Sequence, residues 1–323
     1  MFAISEDSES RFHDPPLVSV AIETYNADSG AEIELAQVLG QLRAQTYPQE
    51  KIEVILVIDE DNVRLTRAIE EQFPWTRIVH VKESTYYGMK VHGMKAGEGD
   101  IVALTDADCA LRGDYVENLV RNFQNGADDV VGKVRFTPGA RFAKTFNLFC
   151  FAYIRADKNG FAQAFSVNSV AFSKEVAHRY SFDPRIQRSG GAYLLARQLC
   201  AAGYKIVYDP EIAVVHDAYD LRFQMLMRVR SGYEVVYLSQ LDEDGVLPET
   251  KFRRLGILAP LFSSAFRFLF DLKIIASDRR DLDISIPEIP YFIVASIVIR
   301  SIETAAGVLT IFKPNYLADR YGW

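Results

Sequence analysis

Cysteine is scarce in this chain, with only Cys109, Cys150 and Cys200 among 323 residues. Their number is odd and no two of them form a Cys-x-x-Cys pair, which excludes a disulfide framework and a cysteine-based zinc site. A reducing compartment follows from this usage. We interpret Cys109 as a packing residue, because a thiolate is an unusual ligand for a hard cation.

Basic residues are outnumbered, since 36 Lys and Arg stand against 43 Asp and Glu, which gives a formal net charge of −7. The short basic runs are not interleaved with aromatic residues, so the composition excludes a nucleic-acid partner. The first ten residues are acidic and lack the basic start and apolar core of a secretory signal. We therefore expect the main folded domain of the chain to remain in the cytoplasm.

No uninterrupted apolar run is as long as a membrane span, although the chain becomes strongly apolar in its last quarter. A membrane-spanning helix needs about 20 apolar residues. The segments 255–275 and 286–312 are broken by Arg267, Asp271, Lys273, Arg300 and Glu303. Arg300 and Glu303 lie three residues apart and could pair on one helix face. We expect interfacial or re-entrant helices at a membrane; the alternative is a helical subdomain packed on the rest of the chain or on a second subunit.

Strand and helix patterns alternate through the first third of the chain. Apolar strand patterns occupy residues 16–26, 53–59, 77–81 and 101–104, and helical spacing occupies 33–42 and 63–73. This order predicts an α/β fold of Rossmann-like type, with a mostly parallel sheet and helices on both faces. Ligands of such folds gather at the carboxyl ends of the strands, where Asn26, Asp59 and Asp106 stand.

Two carboxylates one residue apart, Asp106 and Asp108, follow the apolar strand pattern that ends at Leu104. Such a pair can hold a hard divalent cation against a diphosphate. The alternative interpretation is a solvated turn.

Several ordered segments agree with one known pattern. They are Val18-Ser-Val-Ala-Ile-Glu-Thr-Tyr-Asn26, residues 53–59, Gly93-Met-Lys-Ala-Gly-Glu-Gly-Asp100, Asp106-Ala-Asp108, and residues 199–210 followed by Val214-Val-His216. Together they resemble the family 2 glycosyltransferases, nucleotide-sugar enzymes with the GT-A fold, over roughly residues 16–240. The resemblance implies a GT-A catalytic domain at 16–245, preceded by a tail at 1–15 and followed by a C-terminal helical, membrane-associated region at 246–323.

The resemblance also implies residues for the nucleotide. Thr24, Tyr25 and Asn26 would line its pocket, and Asp59 would accept a hydrogen bond from the base, with Glu60 as the fallback. The alternative for Asp59 is a solvated strand end before a helix cap.

A metal site is implied in the same way. Asp108 would bind Mn²⁺ or Mg²⁺ directly, Asp106 would act as its catalytic partner at the ribose or at metal-bound water, and His216 would be a third ligand. A structural role is the alternative for His216.

Three cations are candidates for the diphosphate. Lys90 lies in a segment that matches imperfectly, because Val91 stands where the family has Asn, and Arg228 and Arg230 lie in a helix after His216. Each could pair with phosphate oxygens. The alternatives are a solvated lysine at a helix start and arginines on a solvated helix face.

The main departure from the family pattern is Gly190-Gly191, which stands where an acid pair usually supplies the catalytic base. Asp183 is the best available replacement, although a position before Pro184 also suits an ordinary turn. Two further possibilities remain: an acceptor or mechanism that needs no protein base, or a protein that binds donor without efficient turnover. The glycines themselves would suit a permissive turn before a helix.

The combined prediction is transfer of a sugar from a nucleoside diphosphate, UDP favoured, to a lipid-linked or polysaccharide acceptor at the cytoplasmic face of the cell membrane. The reaction is expected to be metal-assisted and inverting. The alternative is a weakly catalytic, donor-binding subunit of a membrane glycan assembly complex. A nucleotidyltransferase is disfavoured, because it would need a glycine-rich loop with basic residues after the first strand. Residues 24–32 contain a single glycine, Gly30, and no basic residue.

Overall fold

The computed structural model describes residues 12, 14–25, 31–82, 84–137, 141–187, 190–216 and 220–322. Most of the predicted 1–15 tail lies outside these ranges. The chain forms two compact units, one of Met1–Arg135 with Ile154–Asp217 and one of Phe136–Tyr153 with Ala218–Trp323. We call them the sheet unit and the helical unit and describe each by itself.

The first five elements below follow the predicted order of strand, helix, strand, helix and strand. In chain order they are β1 (Val18–Glu23), α1 (Ala31–Arg43), β2 (Ile52–Asp59), α2 (Val63–Gln72), β3 (Arg77–Val81), α3 (Tyr86–Ala96), β4 (Ile101–Asp106), β5 (Cys109–Leu111), α4 (Tyr115–Gln124), β6 (Asp129–Phe136), α5 (Arg141–Cys150), β7 (Phe161–Ala162), β8 (Val170–Ser173), α6 (Lys174–Arg179), α7 (Gly191–Ala201), β9 (Ile206–His216), α8 (Leu221–Leu241), α9 (Ala259–Ser277), α10 (Ile289–Phe312) and α11 (Tyr316–Tyr321).

The sheet unit is built on one mixed sheet with the strand order β3-β2-β1-β4-β8-β6-β9-β5, and β7 pairs with β9. The strands β3, β2, β1 and β4 run parallel. The strand β8 joins β4 antiparallel, and β5 pairs antiparallel with β9. The predicted α/β architecture is confirmed, with an antiparallel extension that the sequence did not indicate.

Burial explains why the first strands read as continuous apolar runs. Every residue of β1 and of β4 is buried, as expected for strands of a parallel sheet that is covered on both faces. The register pairs Glu23 with Val57 and with Asp106, and Asp59 with Val81. The carboxyl ends of four strands therefore lie side by side, and three of them end in an acidic residue, namely Glu23, Asp59 and Asp106.

The helical unit contains α5 and α8 to α11. The helices α8 and α10 cross at Gly232, where an added Cβ would overlap the backbone carbonyl of Glu303. Gly307 lets α10 pack equally close to α9, because a Cβ added at Gly307 would lie 2.8 Å from the Cβ of Pro260 in α9. Small residues at such crossings let helix backbones pack closely.

Several charged side chains are buried inside the helical unit, whereas many apolar side chains lie on its surface. Arg300 pairs with Asp271 at 2.7 Å and with Glu303 at 2.6 Å, so the predicted Arg300–Glu303 pair is confirmed. The outward faces of α9 and α10 expose Phe266, Leu269, Val294, Ile297 and Phe312. The segments Pro248–Ser277 and Ile286–Phe312 are long and apolar enough to cross a membrane.

Candidate active site at the carboxyl edge of the sheet

The carboxylate of Asp106 is the most heavily bonded group at this edge. It contacts the ammonium of Lys90, and it accepts the Tyr86 hydroxyl at 3.1 and 3.3 Å from its two oxygens. The side-chain amide of Asn168 donates to Oδ2 at 2.5 Å. Both oxygens are thus held in place, and the charge is balanced within a buried environment.

Lys90 lies in α3 with a side chain that is 1 % exposed. Its Nζ donates to the carbonyl of Thr105 at 3.0 Å and lies 3.8 Å from Glu23 Oε1. Burial alone would lower its pKa, but the charges of Asp106 and Glu23 outweigh burial and the pKa is raised. The solvated alternative for Lys90 is wrong. Its predicted role at the diphosphate stays a prediction.

Glu23 is a second buried acid, at the end of β1. Its Oε2 accepts the backbone N–H of Tyr25 at 2.6 Å. Burial raises its pKa to about 7, with Lys90 lowering it and Asp106 raising it. This carboxyl therefore orders the turn after β1 and shares the Lys90 charge with Asp106.

Asp108 and His216 form a second pocket of polar side chains, next to the group around Asp106. His216 ends β9 and is the register partner of Cys109 in β5, which places His216 Nε2 3.4 Å from Asp108 Oδ1. One ligand atom each from Asp108, Cys109 and His216 fall within 4.8 Å of one another. Sequence positions 108 and 216 are thus brought together as predicted.

The donor set of this pocket fits a hard divalent cation. Ligand atoms about 2.1 Å from an octahedral Mg²⁺ lie about 3.0 Å apart when adjacent, close to the observed separation between Asp108 and His216. Cys109 suits this set less well, because a thiolate is an unusual ligand for a hard cation. Burial, together with Asp106 and Asp108, raises the pKa of the Cys109 thiol well above its usual value. Its predicted packing role is confirmed by its place in the buried core.

The predicted nucleotide-binding residues lie at the adjoining strand ends. Thr24 is buried and donates its hydroxyl to the carbonyl of Val57 at 3.0 Å. Tyr25 is half-exposed and its ring meets Tyr86 edge to face at 6.1 Å. Asp59 is half-buried, and its Oδ1 accepts the N–H of Asp61 at 3.0 Å. Asn26 lies outside the described residues.

The start of α7 explains the glycine pair. Gly190 adopts a left-handed conformation with φ 80°, as expected of a glycine turn before a helix. A Cβ at Gly191 would lie 2.8 Å from the ring of Tyr87, whose hydroxyl accepts the N–H of Ala192 at 3.2 Å. Tyr87 therefore occupies the space that a side chain at 191 would need.

Asp183 is engaged by a neighbour. The guanidinium of Arg185 donates to it at 2.7 and 3.0 Å. These hydrogen bonds hold the pKa of Asp183 below its usual value. A carboxylate stabilised in this way is a weaker proton acceptor, so the predicted role as base gains no support from this geometry and stays a prediction.

The sequence of this chain is similar to those of known proteins. The model of glycosyl transferase family 2 matches residues 19–180, half of the chain. The chain belongs to this family. It is 25 % identical to glycosyltransferase AglE of Haloferax volcanii over 235 residues, which are 70 % of this chain and 75 % of that protein.

Two other relatives carry more specific names. The glucosyl-dolichyl phosphate glucuronosyltransferase of Haloferax volcanii is 22 % identical over 64 % of this chain and 70 % of its own. The dolichol-phosphate mannosyltransferase of Pyrococcus furiosus is 26 % identical over 38 % of this chain and 34 % of its own.

A solved structure supports the fold of the family 2 enzyme. The mannosyltransferase PcManGT of Pyrobaculum calidifontis, in complex with GDP-Man and Mn²⁺, has a TM-score of 0.57 and 20 % identity, over 95 % of this chain and 89 % of that one. This likeness confirms the GT-A fold. The family match and the named glycosyltransferase relative confirm a glycosyltransferase activity.

The two arginines predicted for the diphosphate lie in the helical unit of this glycosyltransferase. Arg228 donates to the carbonyl of Phe149 at 3.1 Å and to Cys150 Sγ at 3.3 Å, and it lies 3.7 Å from Glu303. Arg230 is also buried. The alternative of a solvated helix face is wrong, and their role at the phosphates stays a prediction.

Four residues of the site were missed from the sequence. Glu23 carried a signal, because a charge at the end of an otherwise apolar strand must find a partner when buried. Tyr86 and Tyr87 belong to a helix without a clear apolar face, and Asn168 reaches Asp106 from a loop 62 residues away. Local periodicity gives no information on such contacts.

Proposed function

We propose that this family 2 enzyme transfers a sugar from a nucleoside-diphosphate donor to a lipid-linked acceptor at a membrane surface. The observation that carries the proposal is the pair Asp108 and His216, 3.4 Å apart beside the buried Asp106. This arrangement lies at the carboxyl edge of the sheet, where α/β folds bind their ligands. Thr24, Tyr25 and Asp59 adjoin it and are proposed to bind the nucleoside.

A divalent cation, Mn²⁺ or Mg²⁺, is proposed to be held by Asp108 and His216. When bound, such a cation stabilises the charge of a departing nucleoside diphosphate as a Lewis acid. Asp106 is proposed to orient the donor, since Lys90 and Asn168 fix its carboxylate. The structural relative with Mn²⁺ supports this cofactor class.

The donor base remains a proposal in its own right. We favour a UDP-sugar on the family resemblance, whereas PcManGT carries GDP-Man. The competing bases can be separated by direct binding, because each nucleotide presents different groups to Asp59.

The acceptor is proposed to be lipid-linked because two relatives are named for dolichyl phosphates. The filled space at Gly191 and the Arg185 pairing of Asp183 favour a phosphate monoester among such acceptors. A phosphate oxygen is already ionised near neutral pH. It can attack the anomeric carbon without a protein base, in one displacement that inverts the configuration.

Residues 16–245 are proposed to be the catalytic part, and 246–323 to lie at the cytoplasmic face of the membrane. The exposed apolar faces of α9 and α10 support this assignment. Polysaccharide acceptors are the less favoured substrate class.

The decisive experiment measures thermal stabilisation by UDP, GDP, CDP and dTDP, each with and without Mn²⁺. Ligands that bind the native state raise its stability by mass action, so one nucleotide should stabilise the wild type in a metal-dependent manner. Asp108→Ala and His216→Ala should abolish this effect, and Cys109→Ala should retain it. Metal-independent or absent stabilisation in the wild type would contradict the proposed site.

A donor-binding subunit with little turnover is the second candidate, favoured by the absent acid at Gly190-Gly191. Product assays with dolichyl phosphate and with a dolichyl-phosphate-linked sugar distinguish the two. Transfer to the phosphate alone supports our proposal, and nucleotide binding without transfer to either acceptor supports the subunit.

A further inference from the structure

A basic cavity lies in the helical unit and contains none of the residues assigned above. Its volume is about 700 Å³, and it is lined by Gly245, Thr250, Lys251, Arg253 and Arg254. Three of its five lining residues are cations, in a protein whose formal net charge is −7. The lining of the cavity is therefore positively charged, although the protein as a whole carries a net negative charge.

The wall of the cavity is ordered by a buried acid. Asp242 accepts the N–H groups of Val246 at 3.0 Å and Leu247 at 2.8 Å, and the hydroxyl of Thr250 at 2.5 Å. Gly245 turns the chain with φ 66°, a conformation that favours glycine. These hydrogen bonds hold the loop before the basic residues in one conformation.

The three cations form no ion pair with the acids of the neighbouring segments in the part of the chain that the structure describes. Among the residues the structure describes, no ion pair or hydrogen bond occupies the side chains of Lys251, Arg253 or Arg254. The neighbouring Glu249 pairs with Arg267 at 3.4 Å. An anion in the cavity would consequently meet available donors.

Exposed apolar side chains follow the cations directly. Leu255, Ile257 and Leu258 are each at least 40 % exposed, and Leu261 and Phe262 continue this surface into α9. Cations next to exposed apolar groups suit a molecule with an anionic head and a hydrocarbon tail. A free phosphate or nucleotide would gain nothing from the apolar part.

We propose that this cavity binds the phosphate head of an anionic membrane phospholipid and so fixes the enzyme on the membrane. This inference rests on the proposed membrane association. It assigns Lys251, Arg253 and Arg254 to the headgroup and the surface from Leu255 to Phe262 to the acyl region. None of these residues is proposed to bind the donor or the metal.

The test measures binding of the full chain to phosphatidylcholine vesicles with and without phosphatidylglycerol. The variant Lys251→Gln/Arg253→Gln/Arg254→Gln is compared with Arg64→Gln/Arg67→Gln/Lys158→Gln, which removes three exposed cations from the sheet unit. Basic residues near an anionic surface each contribute about 1 kcal/mol, so the cavity variant should lose on the order of 100-fold in affinity for anionic vesicles. The matched control should lose less than about threefold, and Lys251→Arg/Arg253→Lys/Arg254→Lys should retain binding.

Each other result is decisive. Equal wild-type affinity for neutral and anionic vesicles would overturn the headgroup site while leaving membrane association intact. Binding to neither vesicle would overturn both. Equal losses of affinity in the cavity variant and its control would show that vesicle binding depends on net charge alone. Complete competition by millimolar inorganic phosphate would show that the cavity binds free phosphate instead. Melting temperatures check that each variant is folded.

Discussion

Glu23 and Asp106 are register partners at the ends of two neighbouring parallel strands, so the sheet itself places two buried carboxyl groups side by side. The ammonium group of Lys90 balances the charge of both, because it contacts Asp106 and lies 3.8 Å from Glu23 Oε1. The helix α3 is therefore tied to the site by charge as well as by packing. The acids explain why a lysine in a helix without a clear apolar face is buried.

Removing this lysine should be costly. We expect Lys90→Met to destabilise the protein by about 3 to 5 kcal/mol, because it leaves buried carboxylates without their cation. Adding Glu23→Gln should recover part of the loss. The measurement is chemical denaturation, with the exposed Lys158→Met as the control; a loss as small as that of the control would refute the coupling.

The proposed metal site leads to a prediction about which of its three neighbouring ligand atoms bind the cation. Asp108→Asn and His216→Ala should each weaken Mn²⁺ binding at least tenfold, measured by calorimetry or by paramagnetic relaxation. Residues that only hydrogen-bond to a metal ligand already change affinity about tenfold to 100-fold, so direct ligands should fall at or above this range. Cys109→Ala should leave the affinity within about twofold, because a hard cation prefers oxygen and imidazole ligands to a thiolate. Loss of Mn²⁺ in the cysteine variant would show that the thiol binds.

Tyr87 and Gly191 should be coupled in stability. Gly191→Ala brings a Cβ to 2.8 Å from the Tyr87 ring, and overpacking of this kind costs about 1 to 3 kcal/mol. In a Tyr87→Ala background the same change should cost much less. Gly113→Ala is the matched control, since nothing lies within 4 Å of its added Cβ. Equal costs of Gly191→Ala in both backgrounds would contradict the contact.

Sequence patterns were sufficient for the four parallel strands of the sheet and insufficient for its antiparallel strands and for the contacts between elements. The strand predicted at 77–81 coincides with β3, and the predicted 53–59 strand differs from β2 by one residue. These strands are apolar runs bounded by polar residues, which is local information. The pairing of Asp108 with His216 required the resemblance, because β5 and β9 are about 100 residues apart in the chain.

The surroundings of the site could not be predicted for a physical reason. Asn168 contacts Asp106 from a loop, and Tyr87 fills the space above Gly191. Each contact depends on the distance between elements, which no period of two or 3.6 residues encodes. The ion pair of Arg300 with Glu303 was predictable, since three residues separate neighbours on one helix face.

Asp129, at the start of β6, should make stability depend on pH. Its carboxylate is fully buried, and among the described residues neither oxygen has a hydrogen-bond partner. Burial, with a smaller contribution from Asp128, raises the pKa of Asp129 well above its usual value. The folded state therefore keeps this proton at pH values where the unfolded chain, with a pKa of about 3.9, has lost it.

The sign follows from proton binding. Above about pH 4 the native state binds more protons at this site than the unfolded state, so its contribution to the free energy of unfolding falls by about 1.4 kcal/mol per pH unit until the folded pKa is reached. Asp129→Asn removes the ionisation, so the variant should gain stability relative to wild type as pH rises from 4 to 7. Urea unfolding at several pH values measures this, with the less buried Asp128→Asn as the control. A stability difference that stays constant across this range would show that Asp129 ionises in the folded protein as it does in the unfolded chain.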